Sequence, residues 1–364
     1  MHKTAASPLA LIYAALIVYA SLYPFADWRD QGVDAWSYLL APLPRYWTGF
    51  DVAINLAGYV PFGGLLALSA LRSGRSARPL LFAFLIASLM SLCMETMQGF
   101  LPVRVASRED WLLNTAGAWC GAFVTLALER LGAIDRWSHF RRRWFIEHAR
   151  GGLVLLATWP LALLFPPAVP FGLGQVFERI EAEIAERLAD TPFLDWLPVR
   201  DIELQPLLPS TELLCVLLGL LIPCLLGFCV IRPGLRRLLF VPLYIGLGML
   251  VNALSATLSW GPGHAWAWLD LPTQLALVAA LVLAVVLSQA PNRAFPALVL
   301  LGLGVYLSIL NQAPESPYFA QTLQAWEQGR FIRFNGLAQW LGWLWPYAVL
   351  GYALSLIWQR DAKN

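Results

Sequence analysis

The chain has 364 residues, of which 59% are hydrophobic and 13% are charged. Soluble domains are less apolar and more highly charged, so this composition excludes an ordinary soluble protein and indicates an integral membrane protein. The formal net charge of +2 is the small remainder of 25 basic and 23 acidic residues, so no nucleic-acid-binding patch is indicated and nucleic acid is not an expected partner.

Apolar runs of membrane length recur along the whole chain. Since a membrane-spanning helix needs roughly 20 apolar residues, the sequence predicts an all-α, polytopic transmembrane helical bundle with about ten spans. The predicted spans are residues 8–25, 51–71, 79–98, 111–130, 151–170, 211–231, 238–259, 273–290, 294–311 and 337–358. The first run lacks a small-residue cleavage site, so it is expected to be a retained helix or signal anchor.

Arginine residues favour one orientation of this bundle. With a cytoplasmic N-terminus, every inside loop is basic, as the positive-inside rule requires, and both termini lie inside. These basic residues are Arg72, Arg75, Arg78, Arg136, Arg141, Arg142, Arg143, Arg150, Arg232, Arg236, Arg237, Arg293, Arg360 and Lys363. The outer loops are poorer in basic residues and richer in tryptophan.

Two outer segments have the pattern of interfacial helices. Between residues 175 and 188, Phe177, Ile180, Ile184 and Leu188 share one helical face, and charged residues fill the rest. A second segment, residues 318–334, is similar but less regular. Such a helix either acts as a lid over the bundle or only packs on the surface at the edge of the bundle.

Polar side chains mark the ends of the second, third and fourth spans. Each pair is three or four residues apart and so shares one helical face: Asp51 with Asn55, Glu95 with Gln98, and Asp110 with Asn114. In the predicted orientation all three pairs lie near the outer interface, and the loop before Asp110 adds Arg104, Ser107 and Arg108. Polar groups next to hydrocarbon are costly and by default suggest a functional site.

These residues occur in an ordered set of motifs: Asp51-x-x-x-Asn55, Pro61-Phe62-Gly63, Glu95-x-x-Gln98, Phe100-x-Pro102-x-Arg104, Ser107-x-x-Asp110-x-x-x-Asn114 and Gly117-x-x-x-Gly121. Over residues 10–131 the chain resembles the VanZ-like family, named for a membrane protein linked to low-level teicoplanin resistance. The resemblance implies a small four-helix membrane module of the bacterial cell envelope.

The resemblance, together with the predicted spans and the loop charges, gives an expected domain organisation and location. A VanZ-like four-helix module is expected over residues 1–131, a basic cytoplasmic linker over 132–150, and a second region of about six transmembrane helices over 151–364. The expected location is the bacterial inner (cytoplasmic) membrane, as a multi-pass protein. The oligomeric state is not indicated.

A structural explanation of the same residues stands beside the functional one. Asp51 and Asp110 occupy positions typical of helix N-caps. Gly117 and Gly121 suit close helix packing, and Pro61, Phe62 and Gly63 suit a kink or packing notch. Capping does not explain Glu95, which lies near a helix C-terminus where the helix dipole disfavours an anion. A purely structural hydrogen-bond network therefore remains an alternative.

Two functional hypotheses come from different classes. In the first, an outward-facing pocket of Asp51, Asn55, Glu95, Gln98, Arg104, Ser107, Asp110 and Asn114 binds a lipid-linked glycan or a glycopeptide-related ligand, with Arg104 pairing to phosphate. In the second, a membrane hydrolase or transferase acts on a lipid-phosphate substrate, with Glu95 as general base, Asp110 or Asp51 as its partner and Arg104 stabilising an anionic transition state.

The binding hypothesis is favoured because no activated nucleophile is apparent. A third possibility is a structural or assembly partner of an envelope polysaccharide system. The cysteines and histidines lack metal-ligand spacing, and no phosphate-binding or dinucleotide glycine motif occurs in the required context, so no metal and no cofactor are expected. Membrane lipids are expected partners in every case.

Overall fold

The structure is a computed structural model that describes residues 6–23, 25, 27–32, 34, 36–41, 49–73, 78–102, 104–147, 149–189, 191–193, 204–314 and 332–361. These residues form α1 (Ala6–Leu22), α2 (Gly49–Ser73), α3 (Pro79–Gln98), α4 (Arg108–Arg130), α5 (Ala133–Trp144), α6 (Arg150–Ala162), α7 (Phe177–Leu188), α8 (Pro209–Val230), α9 (Leu235–Trp260), α10 (Leu271–Leu287), α11 (Ala294–Leu310) and α12 (Ile332–Asp361). Two short 3-10 helices, Ser37–Leu39 and Pro262–His264, complete the described secondary structure. No strand occurs in the described ranges, which confirms the all-α prediction.

The chain divides into two compact units, Met1–Phe140 and Arg141–Asn364. The division falls within α5, inside the segment predicted as a basic linker. The functional division into residues 1–131, 132–150 and 151–364 remains a prediction.

Six helices within the described ranges are long and apolar enough to cross a membrane, so the prediction of a membrane protein holds in this coarser form. They cover Val52–Ser73, Pro79–Gln98, Arg108–Arg130, Pro209–Val230, Leu235–Trp260 and Ala338–Gln359. The first, eighth and ninth predicted spans are helices of 17 residues each, at the lower end of the roughly 17–25 residues that a spanning helix needs.

The fifth predicted span differs from the structure. Residues 151–170 were expected to form one helix, but α6 ends at Ala162 and helical structure resumes only at Phe177. The prediction of a continuous helix is therefore wrong for residues 163–170. The amphipathic helix expected over residues 175–188 is confirmed as α7, with Phe177, Ile180 and Ile184 exposed. Its counterpart at 318–334 lies almost entirely outside the described residues.

Close packing of α2 against α4 organises the first unit. A Cβ atom at Gly117 would overlap the carbonyl oxygen of Leu56, and one at Gly121 would overlap that of Val60. On the facing helix, Gly63 allows the same approach to the carbonyl oxygen of Ala118. Only glycine permits such backbone contact, which supports the packing roles of Gly63, Gly117 and Gly121, and these roles stay predictions. The helix continues through Pro61.

Helix α8 is the centre of the second unit. It contacts α6, α9, α10 and α11, while α12 packs against α6 and α11. Most of α8 is enclosed, including Cys215 and Cys224, two of its three cysteines. A helix that is apolar on all faces is expected in such a central position.

The segment between α6 and α7 is non-helical and largely buried, with Leu163 and Phe171 fully enclosed. Buried backbone must find hydrogen-bond partners, and side chains of α9, α11 and α12 and of the turn after α11 supply them here. The Tyr306 hydroxyl donates to Phe171 O at 2.9 Å and accepts from Leu173 N. Asn311 Oδ1 accepts from Val176 N and Phe177 N at 3.0 and 3.1 Å. Three further donors to the main chain are Ser255 Oγ to Leu164 O, Tyr347 Oη to Gly174 O and Asn311 Nδ2 to Gly174 O.

Arg237 is a buried cation at the start of α9, only 1% exposed. Its guanidinium donates to Phe228 O at 2.9 Å, Ile231 O at 3.1 Å and Ser288 O at 3.4 Å, and to Asn292 Oδ1 at 2.6 Å. It also lies over the ring of Phe295, with the guanidinium carbon 4.8 Å from the ring centroid. The residue was predicted only as one of several inside-loop charges. In the structure it caps the free carbonyl groups at the ends of α8 and α10.

The predicted orientation has a direct test. In a cysteine-free background, single cysteines at Gly32, Gln175 and Gln328 should react with a membrane-impermeant maleimide added to intact cells. Cysteines at Ser73 and Ser138 should react only after the membrane is permeabilised, because the arginine-rich loops face inward. Labelling of the Ser73 variant in intact cells would reverse the orientation and place the polar helix ends of the first unit inside.

Candidate functional site

Ser107 forms the corner between α3 and α4. Its backbone N donates to Glu95 Oε2 at 2.9 Å, and its hydroxyl donates to Glu109 Oε2 at 2.8 Å and accepts from Asp110 N at 3.3 Å. As the N-cap of α4, Ser107 satisfies an amide in the first turn, and the acidic residues that follow are favoured there by the helix dipole. One residue thus joins Glu95, Glu109 and Asp110.

Asp110 connects α4 to α2. Its Oδ1 accepts a hydrogen bond from Asn55 Nδ2 at 2.6 Å. The expectation that Asp110 caps α4 is wrong, because α4 begins at Arg108 and Ser107 is the capping residue. Asp110 lies close enough to Glu95 for the two carboxylates to interact electrostatically. The site therefore brings two acidic side chains together at the junction of α2, α3 and α4.

Asn114 lies about one turn deeper in α4 and is buried. Its Nδ2 donates to Ser91 Oγ on α3 at 3.0 Å. One turn nearer the start of α4, Trp111 donates through Nε1 to Ser88, which also lies on α3. These bonds fix α4 against α3 beneath the carboxylates.

Gln98 and Arg104 contact the end of α1. Gln98 Nε2 donates to Ser21 O at 3.0 Å, and Arg104 Nη2 donates to Ala20 O and Tyr23 O at 3.2 and 2.9 Å. Arginine donors near a helix C-terminus satisfy carbonyl groups that have no partner within the helix. These two residues therefore close the site on the α1 side.

The structure joins Asn55, Glu95, Ser107 and Asp110 through hydrogen bonds and close approach, with Asn114 below them and Gln98 and Arg104 beside them. The remaining predicted residue, Asp51, lies in the first turn of α2, and its side chain is outside the described part of the structure. Their shared location at one end of α2, α3 and α4 agrees with the sequence pattern. Ligand binding by these residues stays a prediction.

Sequence analysis missed two members of the site. Glu109 directly follows the capping serine, and its Oε1 is buried without a hydrogen-bond partner within the described ranges. The Tyr59 hydroxyl on α2 is likewise buried without a partner of ordinary geometry, although it lies near Ser91 and Glu95. The Ser-x-x-Asp spacing from Ser107 to Asp110 is a recognised capping pattern and would have placed Glu109 in the first turn of α4. Nothing in the local sequence distinguishes Tyr59 from a core aromatic.

The loop between α1 and α2 covers part of this end of the unit. Tyr38, in the short helix Ser37–Leu39, is buried, and its hydroxyl lies 3.2 Å from Thr96 Oγ1. Burial, together with the charge of Glu95, raises the pKa of the Tyr38 phenol, so the hydroxyl stays protonated at physiological pH. Arg108 Nη1 donates to Leu39 O at 3.3 Å and holds the same loop.

Comparison with known proteins addresses the first unit alone. No curated protein and no solved structure matches the chain. Residues 9–129 match the family model described as VanZ/LLP1, and all of the residues of the candidate site fall within the matched range. The match confirms the resemblance, and the N-terminal third of the chain is a VanZ-like region.

Proposed function

We propose that the VanZ-like region binds a lipid-linked or glycan-bearing component of the bacterial cell envelope. The binding pocket faces outward from the inner membrane and is formed by Asp51, Asn55, Glu95, Gln98, Arg104, Ser107, Asp110 and Asn114. Membrane lipids and a lipid-linked glycan or glycopeptide-related ligand are the partners. The VanZ/LLP1 match supports a link to glycopeptide (teicoplanin) resistance.

The placement of Glu95 carries this proposal. Its side chain is only 3% exposed, it lies in the last turn of α3, and it interacts with the Asp110 carboxylate. Burial, the helix dipole and a neighbouring anion all disfavour a carboxylate at this position. Its one hydrogen bond among the described residues is from Ser107 N. Costly polar groups in membrane proteins are typical of functional sites, because a purely structural contact is made as well by a neutral side chain.

A structural network is the second candidate, and the bonds between helices favour it. Asn55 joins α2 to α4, and Asn114 joins α4 to α3. Both bonds stabilise the bundle whether or not a ligand is present. The two functions predict different effects of conservative substitutions.

Glu95→Gln and Arg104→Lys should leave melting temperature in detergent nearly unchanged while ligand retention is lost. Each change keeps side-chain volume but removes the charge or the planar guanidinium. Native mass spectrometry of protein purified in native lipid measures retention, and Glu129→Gln, in the exposed last turn of α4, is the matched control. If the residues form only a structural network, stability falls with function, by about 1–3 kcal/mol for each stranded partner.

The same purified protein tests the enzymatic alternative. On incubation, a binding protein keeps the co-purified species unchanged. Release of a processed product by the wild type, but not by Glu95→Gln, would instead establish a hydrolase or transferase in which Glu95 and Asp110 act as acid and base. Retention of the same species by wild type and Glu95→Gln would remove the site from ligand binding altogether.

A further inference from the structure

Three acidic residues are hydrogen-bonded to Ser107, and we call Glu95, Glu109 and Asp110 the carboxylate cluster. The Ser107 amide binds Glu95, its hydroxyl binds Glu109, and it accepts the amide hydrogen of Asp110. Neither Glu95 nor Glu109 forms an ion pair within the part of the chain that the structure describes. The cluster therefore gathers three acidic side chains, of which Glu95 is buried and Glu109 and Asp110 are partly exposed.

Neighbouring guanidinium groups do not neutralise Glu95 or Glu109. Arg108 directs Nη1 to Leu39 O, and Arg104 directs Nη2 to Ala20 O and Tyr23 O. Both side chains thus satisfy main-chain carbonyl groups of the surrounding structure. An anion such as a phosphate would meet the carboxylate cluster at close range and be repelled by it.

Two oxygen atoms, one beside the cluster and one in it, form no hydrogen bond of ordinary geometry among the described residues. Tyr59 is 5% exposed, and its hydroxyl, near Glu95, has no partner of ordinary geometry among the described residues. Within the same described set, Glu109 Oε1 is also buried and without a partner. Buried polar atoms are normally satisfied, so these two oxygen atoms are able to accept a hydrogen bond from a ligand.

We propose that the carboxylate cluster binds a primary ammonium group on the ligand. This inference rests on the proposed function and names the group that the pocket recognises. An ammonium carries one positive charge and three donors, and it forms charge-assisted hydrogen bonds with carboxylates. Glu95, Glu109 and the Tyr59 hydroxyl supply acceptors, and the charge offsets the repulsion within the cluster. Such a group occurs on an aminophospholipid headgroup and on an unacetylated amino sugar.

Pairs of probes, each an amine and its acetylated derivative, distinguish these two sources and test whether the ligand's positive charge is needed for binding. The full chain is reconstituted in phosphatidylcholine nanodiscs and titrated with phosphatidylethanolamine or its N-acetyl derivative, and separately with glucosamine or N-acetylglucosamine. Native mass spectrometry reports the lipids and calorimetry the sugars. We expect at least one amine to bind about ten-fold or more tightly than its acetylated partner. Acetylation removes a hydrogen bond to a charged group, and the free energy of that bond sets the expected ratio. The pair that shows the preference identifies the source.

Three variants connect the preference to the cluster. Glu109→Gln should reduce the preference for the amine, Tyr59→Phe should weaken amine binding without changing melting temperature, and Glu129→Gln should do neither. Tyr59→Phe keeps the test valid if Glu109→Gln folds poorly, because it removes a hydroxyl that lies near Ser91 and Glu95 but forms no hydrogen bond of ordinary geometry within the described residues.

The ammonium inference would be overturned by any of three results. The amine and acetylated probes bind equally, neither probe binds, or Glu109→Gln leaves the preference for the amine unchanged. The proposed function fails separately. If native envelope components co-purify with the wild type and are lost in Glu95→Gln, the pocket binds a ligand even when the amine probes fail. If none is retained, both proposals fall.

Discussion

Arg237→Met should unfold the second unit at a markedly lower temperature than the wild type. Methionine matches the length of the side chain but leaves Phe228 O, Ile231 O and Ser288 O without their donor at a buried site. Breaking a buried charged interaction typically costs about 3–5 kcal/mol. The measurement is the unfolding midpoint of purified protein in detergent, followed by tryptophan fluorescence.

Arg236→Met is the matched control, since the neighbouring arginine is partly exposed and no hydrogen bond of its side chain is described. That variant should unfold close to the wild-type midpoint. Arg237→Lys should fall between the two, because an ammonium cannot reproduce the planar fork of donors. Equal midpoints for the two methionine variants would mean that the carbonyl groups find other partners, and the capping role of Arg237 would be rejected.

Gly121→Ala should disrupt the first unit although it adds only one methyl group. The new Cβ would overlap the carbonyl oxygen of Val60, so α2 and α4 would have to separate along their whole contact. Overpacking of this kind costs about 1–3 kcal/mol, and more where backbone, which cannot change rotamer, is the obstacle. Loss of the folded protein is expected to appear as a lower yield of monodisperse material and a lower melting temperature.

Gly58→Ala, also on α2, should change stability in the opposite direction to Gly121→Ala. A Cβ at Gly58 has no other atom within 4 Å, and alanine is the better helix former by about 1 kcal/mol. This variant should therefore be neutral or slightly stabilising. Destabilisation of both variants to the same extent would show that glycine is needed for a reason other than the contact between α2 and α4.

Most of the helical layout could be predicted because it depends on local hydropathy. A stretch such as 79–98 is apolar over membrane length, and its helix occupies those residues. The polar ends of α2, α3 and α4 were also identified from sequence, since Asn55, Glu95 and Asp110 interrupt apolar runs at helical spacing. Glycine at four-residue spacing indicated the close contact of α4 with another helix, though not which helix it would meet.

Most of the unpredicted features depend on residues far apart in the chain. Residues 163–170 are an exception, because Pro166, Pro167 and Pro170 interrupt the helix locally, and the apolar length of the run concealed this signal. Arg237 looks like any other basic loop residue until the carbonyl groups of α8 and α10 surround it. Glu109 has the local sequence of a solvated first-turn acid, and its burial becomes visible only with the fold.

The non-helical segment after α6 also constrains the order in which the second unit is made. Its main chain leaves the ribosome long before its hydrogen-bond partners, since Tyr306 follows Phe171 by 135 residues and Tyr347 follows Gly174 by 173. Translation takes about 5–20 residues per second, so the segment waits several seconds or more for these side chains. In the interval its polar backbone has to remain hydrated or be shielded by the insertion machinery. The C-terminal helices therefore complete a region that was synthesised well before them, and a chain truncated before α11 cannot reach the native arrangement of the second unit.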